Sequence, residues 1–350
     1  MIVKINKKIS IRGGKKPLIV TEISGNHNGS KKSFLNHIKV AAKNGADMIK
    51  IQTYEPKDIT IKRFDKKFKI KEGTWKNEVL WNLYKKAHTP FSWHKDAFNL
   101  AKKLNITLFS SPFSKRAVDL LEKFKVKLYK IASFEITDLE LIQYVARKKK
   151  PIIISTGMAS LNEIKRAINC IKKYHNKIII LYCVSSYPSK EKDINLNTVK
   201  KFKKIFKGFN IGLSDHTNDI YTSLAATTLG VSLIEKHFIV SKKIKTSDEK
   251  FSIDTNQLRK LKEGVNKIHL SLGKEKIGLK KIEKSSIKFR RSIFAIRDIK
   301  KGERFNSKNI WVKRPGTGQI HSREFYKVIN KKSKRNLKKD YQLKYFDIRW

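Results

Sequence analysis

The sequence predicts a (β/α)8 TIM barrel followed by a small C-terminal domain of different character. Three observations carry this. Eight short β-branched runs alternate with amphipathic stretches through about 270 residues, the size of one such barrel. All eight runs end in polar side chains, where a parallel barrel keeps its active site; a doubly wound sheet would alternate too, without a polar group at every strand end. After Leu272 the alternation stops. The expected organisation is a catalytic barrel over 1–272, a Lys-rich linker over 273–289 and a separate domain over 290–350.

The runs, in order, are Leu18–Ile23, Met48–Gln52, Thr107–Phe109, Leu128–Ile131, Ile152–Ser155, Ile178–Val184, Asn210–Leu213 and Leu233–His237. Between them lie helical patterns at Lys32–Asn44, His94–Leu104, Ala117–Phe124, Leu139–Lys148, Leu161–Tyr174, Asn197–Phe206 and Ile220–Leu229. The strand ends offer Glu22, then Lys50 and Gln52, then Ser110 and Ser111, then Lys130 followed by Ser133 and Glu135. After these come Ser155, Ser185 with Tyr187, Ser214 with His216, and Glu235 with His237. Strand side chains alternate faces, so Lys50/Gln52, Ser214/His216 and Glu235/His237 each share one side of the pleat, while Lys236 points outward to the helices. A ring of Lys, Ser, Glu and His over one barrel mouth suits an anionic, oxygen-rich substrate. The tail from Arg290 has short extended pieces punctuated by KKGE and RPGTG turns.

Among the 350 residues, 39% are hydrophobic and 31% charged, enough apolar material for a sizeable core under an ionised surface. The net charge of +50 raises nucleic acid first. Only 14 of the 80 basic residues are Arg, however, and Lys is spread along the whole chain. Specific readout favours clustered Arg, so a solvated, compositionally biased surface is the better reading, with no specific nucleic-acid partner. Two cysteines, Cys170 and Cys183, make neither a disulfide framework nor a metal-type spacing. No apolar run approaches a membrane span and no signal peptide precedes the first strand, so the expected location is the cytoplasm.

At these residues the sequence resembles the sialic acid synthase family. The resemblance spans nearly the whole chain: TEISGNHNG (21–29), GADMIKIQT (45–53), SSPF (110–113), YKIAS (129–133), STG (155–157), SSYP (185–188), GLSDH (212–216), IEKHF (234–238), SD (247–248) and WVKRPG (311–316). The insertion after the second strand, with EGTW (72–75) and LWNLYKKAHTPFSWH (80–94), resembles the pseudaminic acid synthase branch.

The resemblance implies a transferase that condenses phosphoenolpyruvate with an acetamido-sugar aldehyde. For that branch the sugar is 2,4-diacetamido-2,4,6-trideoxy-β-L-altropyranose, and an antifreeze-like (SAF) domain follows the barrel. His216 and His237 are then the ligands of a divalent metal, Mn2+, Mg2+ or Co2+, with positions left for water and the sugar carbonyl. Lys50, Ser111, Lys130, Ser133, Ser155, Ser185 and Ser214 are implied for phosphoenolpyruvate. Ser111 and Ser155 could instead merely cap the following helices. Glu22 and Glu135 are implied as catalytic carboxyls, and Gln52, Tyr187, Asp248 and Arg314 as sugar contacts. Glu235 would orient His237 or pair with a barrel lysine. Trp75, Trp81 and Trp93 read as the packing core of the insertion.

In the family the small domain swaps across a dimer, so a homodimer with composite sites is expected. The rival expectations are a sialic or legionaminic acid synthase, a sugar-phosphate aldolase with a Schiff base on Lys130, and a non-enzymatic polyanion-binding barrel.

Overall fold

The computed structural model describes residues 1–350, in two compact units, Met1–Gly273 and Lys274–Trp350. In the first, eight parallel strands close into a barrel: β1 (Leu18–Glu22), β2 (Met48–Thr53), β3 (Thr107–Pro112), β4 (Tyr129–Ile131), β5 (Ile152–Ser155), β6 (Ile178–Cys183), β7 (Asn210–Asp215) and β8 (Leu233–His237). β8 pairs with both β7 and β1, which closes the ring. Most strand residues are buried, because the outer faces are covered by helices and the inner faces fill the barrel.

Each strand is followed by a helix: α1 (Lys31–Lys43), α2 (His94–Lys103), α3 (Lys115–Lys123), α4 (Leu139–Ala146), α5 (Leu161–Lys172), α6 (Thr198–Ile205), α7 (Tyr221–Thr228) and α8 (Thr255–Leu272). Seven match the sequence patterns. The eighth, implied by the (β/α)8 expectation but given no bounds there, starts at a capping box formed by Asp254 and Gln257. Strands β3 and β7 also run further than their apolar stretches, so Ser110, Ser111 and Ser214 lie within strands. Hydrogen bonding to the neighbouring strands carries them past the last apolar residue.

The barrel interior is layered by the two-residue period. Val20, Met48, Phe109, Leu128, Ile153, Ile179, Leu181 and Leu233 form an apolar floor, joined by Val3, Ile5 and Ile11. Those three come from an N-terminal hairpin, Ile2–Lys4 paired with Ser10–Arg12. The next inward positions towards the C-terminal ends are Glu22, Lys50, Ser111, Lys130, Ser155, Cys183, Ser214 and Glu235, all buried. Gly212 marks how full the interior is, since a Cβ there would stand 2.5 Å from Leu181 Cδ2 and 2.6 Å from Leu233 O.

Lys236 takes the outward parity expected of it. Its Nζ lies 3.1 Å from Asp215 Oδ2 and donates to Thr217 O at 2.5 Å, while Ser223 of α7 donates to Asp215 at 2.5 Å. This buried pair ties the last two strands to the helical layer. No helix of the chain is long and apolar enough to cross a membrane.

The second unit has its own core, formed by Ile293, Ile299, Phe305, Ile310, Ile320, Val328, Leu337, Leu343 and Ile348 among others. Two small antiparallel pairs frame it: β9 (Ser292–Ala295) with β10 (Ile310–Lys313), and β11 (Lys332–Ser333) with β12 (Ile348–Arg349). Residues Lys281–Phe289 form a 3-10 helix in this unit.

Candidate active site

Inward parity at four strand ends brings two acids and two lysines into contact inside the barrel mouth. Lys50 Nζ lies 2.7 Å from Glu22 Oε2 and 2.8 Å from Glu235 Oε1. Lys130 Nζ donates to both oxygens of Glu235, at 2.7 and 2.8 Å, and Ser214 donates to the same carboxylate at 3.2 Å. Burial pushes the Glu235 carboxyl up, but the two lysines outweigh it and hold the group well below the usual carboxylate range. Burial also pulls the Lys130 amine down, to about 8, against the attraction of Glu235. At Lys50 the two glutamates overcome burial and the amine is raised. Burial dominates at Glu22, whose carboxyl is raised.

Of the two readings left open for Glu235, pairing with lysine is the one realised. The lysines of the mouth are therefore balanced by protein carboxylates. A buried lysine without a partner would carry a large desolvation cost, and the fold meets that cost internally.

Beside this quartet lies a group of hydroxyls. Gly157 N–H donates to Ser133 Oγ at 3.1 Å, and a Cβ on Gly157 would lie 2.0 Å from Ser185 Oγ. Only glycine lets the backbone after β5 approach both serines. Ser111 and Ser155 have buried hydroxyls without any partner. Helix capping does not account for them, because α3 and α5 are capped by Ser114 and Ser160. A buried hydroxyl left unpartnered is costly, so these two are placed for an acceptor brought by a ligand. Ser110 faces the other way and bonds Thr53 Oγ1 at 2.6 Å, which in turn meets His94 Nε2 at 2.8 Å, a structural network behind the strand.

His216 and His237, on β7 and β8, face each other with ring centroids 5.4 Å apart. His216 Nδ1 meets Val184 O at 2.9 Å, which puts the proton on Nδ1 and leaves Nε2 a lone pair. His237 Nδ1 is buried without a hydrogen-bond partner, 3.7 Å from Asp248 Oδ2. Two imidazoles with free lone pairs and a nearby carboxylate fit a divalent cation that takes its remaining ligands from water and substrate. No three acidic, Cys or His side chains converge tightly enough to hold a metal alone.

Asp248 is buried, not the surface acid its loop suggests. Gly25 N–H donates to it at 3.3 Å, and burial raises its carboxyl. Asn26 holds that loop in place: its amide donates to Phe238 O at 2.9 Å and Ser252 Oγ at 2.8 Å, and it accepts from Thr246 at 2.6 Å.

Glu135, in the turn after β4, has a buried Oε2 with no partner, and burial pushes its carboxyl up to about 7. Gln52 is half-buried on the inward face of β2. The Tyr187 ring lies tilted against that of His216, with centroids 4.3 Å apart, and meets Phe251 edge-on at 5.1 Å.

The insertion reaches this cluster. Thr74 Oγ1 donates to Tyr187 O, Trp75 Nε1 donates to Ser247 O at 2.8 Å, and the Trp75 ring lies 5.5 Å from that of Tyr187. Trp93 instead packs on His27 and Phe34. The expectation of a separate core is corrected for two of the three tryptophans: Trp75 packs on Tyr187 and Phe251, and Trp93 on the body of the barrel. Arg314 lies in the second unit, exposed on the turn after β10.

Sequence reasoning assigned no place in the site to Asn26, Gly157 and Cys183. All lie in or beside the quoted motifs, and the signal was available in TEISGNHNG and STG. The buried Cys183 thiol sits 3.5 Å from Ser133 Oγ and 3.8 Å from His216 Nδ1.

Residues 37–277 match the sequence profile of the NeuB family, and residues 290–349 that of the SAF domain. The chain belongs to the NeuB family. The pseudaminic acid synthase of Helicobacter pylori is 42% identical over 95% of this chain and 98% of its own length. The N,N'-diacetyllegionaminic acid synthase of Campylobacter jejuni is 37% identical over 93% and 98%. The crystal structure of the N-acetylneuraminic acid synthetase of Leptospira borgpetersenii, in complex with citrate, superposes with a TM-score of 0.73. It is 30% identical and covers 82% of this chain and 95% of that one. The resemblance read from the motifs is thus a true membership, and the NeuB match falls on the barrel that carries the site.

Proposed function

We propose that this NeuB-family chain is a pseudaminic acid synthase, joining phosphoenolpyruvate to 2,4-diacetamido-2,4,6-trideoxy-β-L-altropyranose and water, with release of phosphate. The observation that carries this is the 42% identity to the Helicobacter pylori pseudaminic acid synthase over 95% of the chain. The insertion supports it: Trp75, its N–H already satisfied by Ser247 O, offers carbon surface beside Tyr187, which suits a deoxygenated, doubly acetamidated sugar.

In this reading Lys50 and Lys130 hold the phosphate and carboxylate of phosphoenolpyruvate, and Ser111, Ser133, Ser155, Ser185 and Ser214 donate to their oxygens. The anion competes with Glu22 and Glu235 for the lysines. His216 and His237 would hold a divalent metal, Mn2+, Mg2+ or Co2+, which would supply Lewis acidity to the sugar aldehyde. Gln52, Tyr187 and Asp248 orient the sugar so that its carbonyl carbon meets C3 of the enol phosphate. That C3–C1 bond forms, water adds at C2, and the C2–O bond to phosphate breaks.

Glu135, with a carboxyl that titrates near neutrality, is the group suited to accept the water's proton. Glu22 is committed to Lys50 and acts through its charge. The working form is a cytoplasmic homodimer in which the small domain of one chain brings Arg314 to the sugar bound by the other.

Phosphate release measured with this altrose derivative and with N-acetylmannosamine, each with and without excess chelator, tests the reading. The altrose derivative should be preferred and chelation should abolish turnover. Equal or better use of N-acetylmannosamine would move the chain to sialic acid synthesis, and full activity in chelator would remove the metal from the mechanism.

A further inference from the structure

One ion pair of the barrel is wholly buried yet lies outside the mouth, and the reaction gives it no part. Lys236 and Asp215 sit on the outer faces of β8 and β7, where strand register sets them directly opposite each other. Lys236 therefore stands between Glu235 and His237, and Asp215 between Ser214 and His216. The next residue along each strand is a histidine of the candidate metal site.

The pair also grips the chain just beyond His216. Asp215 Oδ1 accepts from Thr217 N–H at 2.9 Å and from the Thr217 hydroxyl at 2.8 Å, while Lys236 Nζ donates to Thr217 O at 2.5 Å and to Thr217 Oγ1 at 3.0 Å. Every polar group of Thr217 is thus held by these two side chains. Ahead of this clamp, His216 O accepts from Ser189 N–H at 3.0 Å and the ring is fixed on Val184 O, so His216 is restrained on both sides. His237 Nδ1 has no partner, and its place comes from the backbone: Phe238 N–H donates to Glu22 O and Ile253 N–H to His237 O, both at 2.8 Å. The side-chain link between the two histidine-bearing strands on their outer face is the ion pair. Stability alone gives little reason to bury it, since exchanging a buried ion pair for apolar side chains of similar volume is often neutral or stabilising. An apolar pair would fill the same space without fixing where Thr217, and with it His216, lies relative to β8.

We infer that Lys236 and Asp215 are positioning residues for the His216–His237 pair, setting the separation and facing of the two imidazoles so that both can reach one divalent cation. Both side chains point away from the mouth and act through the backbone of 215–217 and 236–237. Groups that orient ligands in this way typically change metal affinity by about 10- to 100-fold when removed. The inference rests on the reading of the two histidines as metal ligands.

The test is titration of the full-length protein with Mn2+, read by loss of the free-ion paramagnetic resonance signal, beside urea unfolding of the same metal-free variants. Asp215→Asn/Lys236→Met neutralises the pair without stranding a charge and leaves Asn to bond Thr217 and Ser223. It should weaken Mn2+ binding about tenfold or more. Thr217→Val keeps shape and backbone and removes only the hydroxyl shared by the pair; it should weaken binding about threefold, and it carries the test if the double variant does not fold. Ser223→Ala takes a hydrogen bond from the same aspartate on its helix side and should leave Mn2+ affinity unchanged, whatever it does to the urea midpoint. Wild-type affinity in both the double variant and Thr217→Val, or losses in all three variants that simply follow their urea midpoints, would overturn the positioning role and leave a structural ion pair. A wild type that takes up no Mn2+, Mg2+ or Co2+ would instead remove the metal reading itself, and the inference with it.

Discussion

The barrel mouth and a cavity of the small domain handle positive charge in opposite ways. In the mouth, Lys50 and Lys130 are buried and each is matched by a glutamate at 2.7–2.8 Å. In the cavity, Arg290, Arg291, Arg314 and Arg323 lie at the surface with no acid among the lining residues. Burial makes the difference. An amine removed from water must find its counter-charge inside the fold, while an exposed guanidinium is solvated. The net charge of +50 is thus a property of the surface; the four charged groups of the mouth sum to zero.

This contrast can be broken most directly at Glu235, the carboxylate shared by both lysines. Glu235→Ala should cost about 3–5 kcal/mol in urea unfolding, since it strands the buried ammonium of Lys130 while Lys50 keeps only Glu22. Glu235→Ala/Lys130→Met should recover part of the loss; a cost under about 1 kcal/mol for the single change would mean that water already screens the quartet.

A smaller effect is expected at Lys130 itself. Lys130→Ala should lower kcat/KM for phosphoenolpyruvate by about 100-fold while the apparent affinity for sugar changes far less. Unchanged phosphoenolpyruvate kinetics would place the anion site elsewhere.

The last effect, spread over several pH units, concerns Glu135, the acid with no lysine to balance it. Its folded carboxyl, near 7, lies above the ordinary 4.5. The folded state therefore holds a proton that the unfolded chain releases, and stability is greatest below about pH 4.5 and declines as pH rises towards 7. The loss is at most about 3 kcal/mol. Glu135→Gln should flatten this slope between pH 5 and pH 8 in urea midpoints. Parallel profiles for the two proteins would show that Glu135 is well solvated.

Much of the barrel was legible beforehand because parity and apolar runs are local properties. The inward direction of Lys50, Glu235 and His237 and the outward direction of Lys236 follow from a period of two, whatever the rest of the chain does. The bounds of helix α8 were not legible because a long loop, 238–254, separates it from its strand and breaks the rhythm. Asp248 stood out only through the family resemblance, for a similar reason. Its loop is polar in sequence and becomes buried only when Asn26, over 200 positions away, ties it down. Ser111 and Ser155 left two readings open, and these were separated by finding the caps at Ser114 and Ser160.

By itself, then, the sequence determined the strand order, the inward-facing chemistry of each strand end and the family to which the chain belongs. Only the tertiary structure decided which acid neutralises which lysine, that Trp75 rather than Trp93 packs on Tyr187 beside the histidine pair, and that four scattered arginines share one cavity. Those facts depend on distances between residues far apart along the chain, which strand register and barrel closure set and local pattern does not encode.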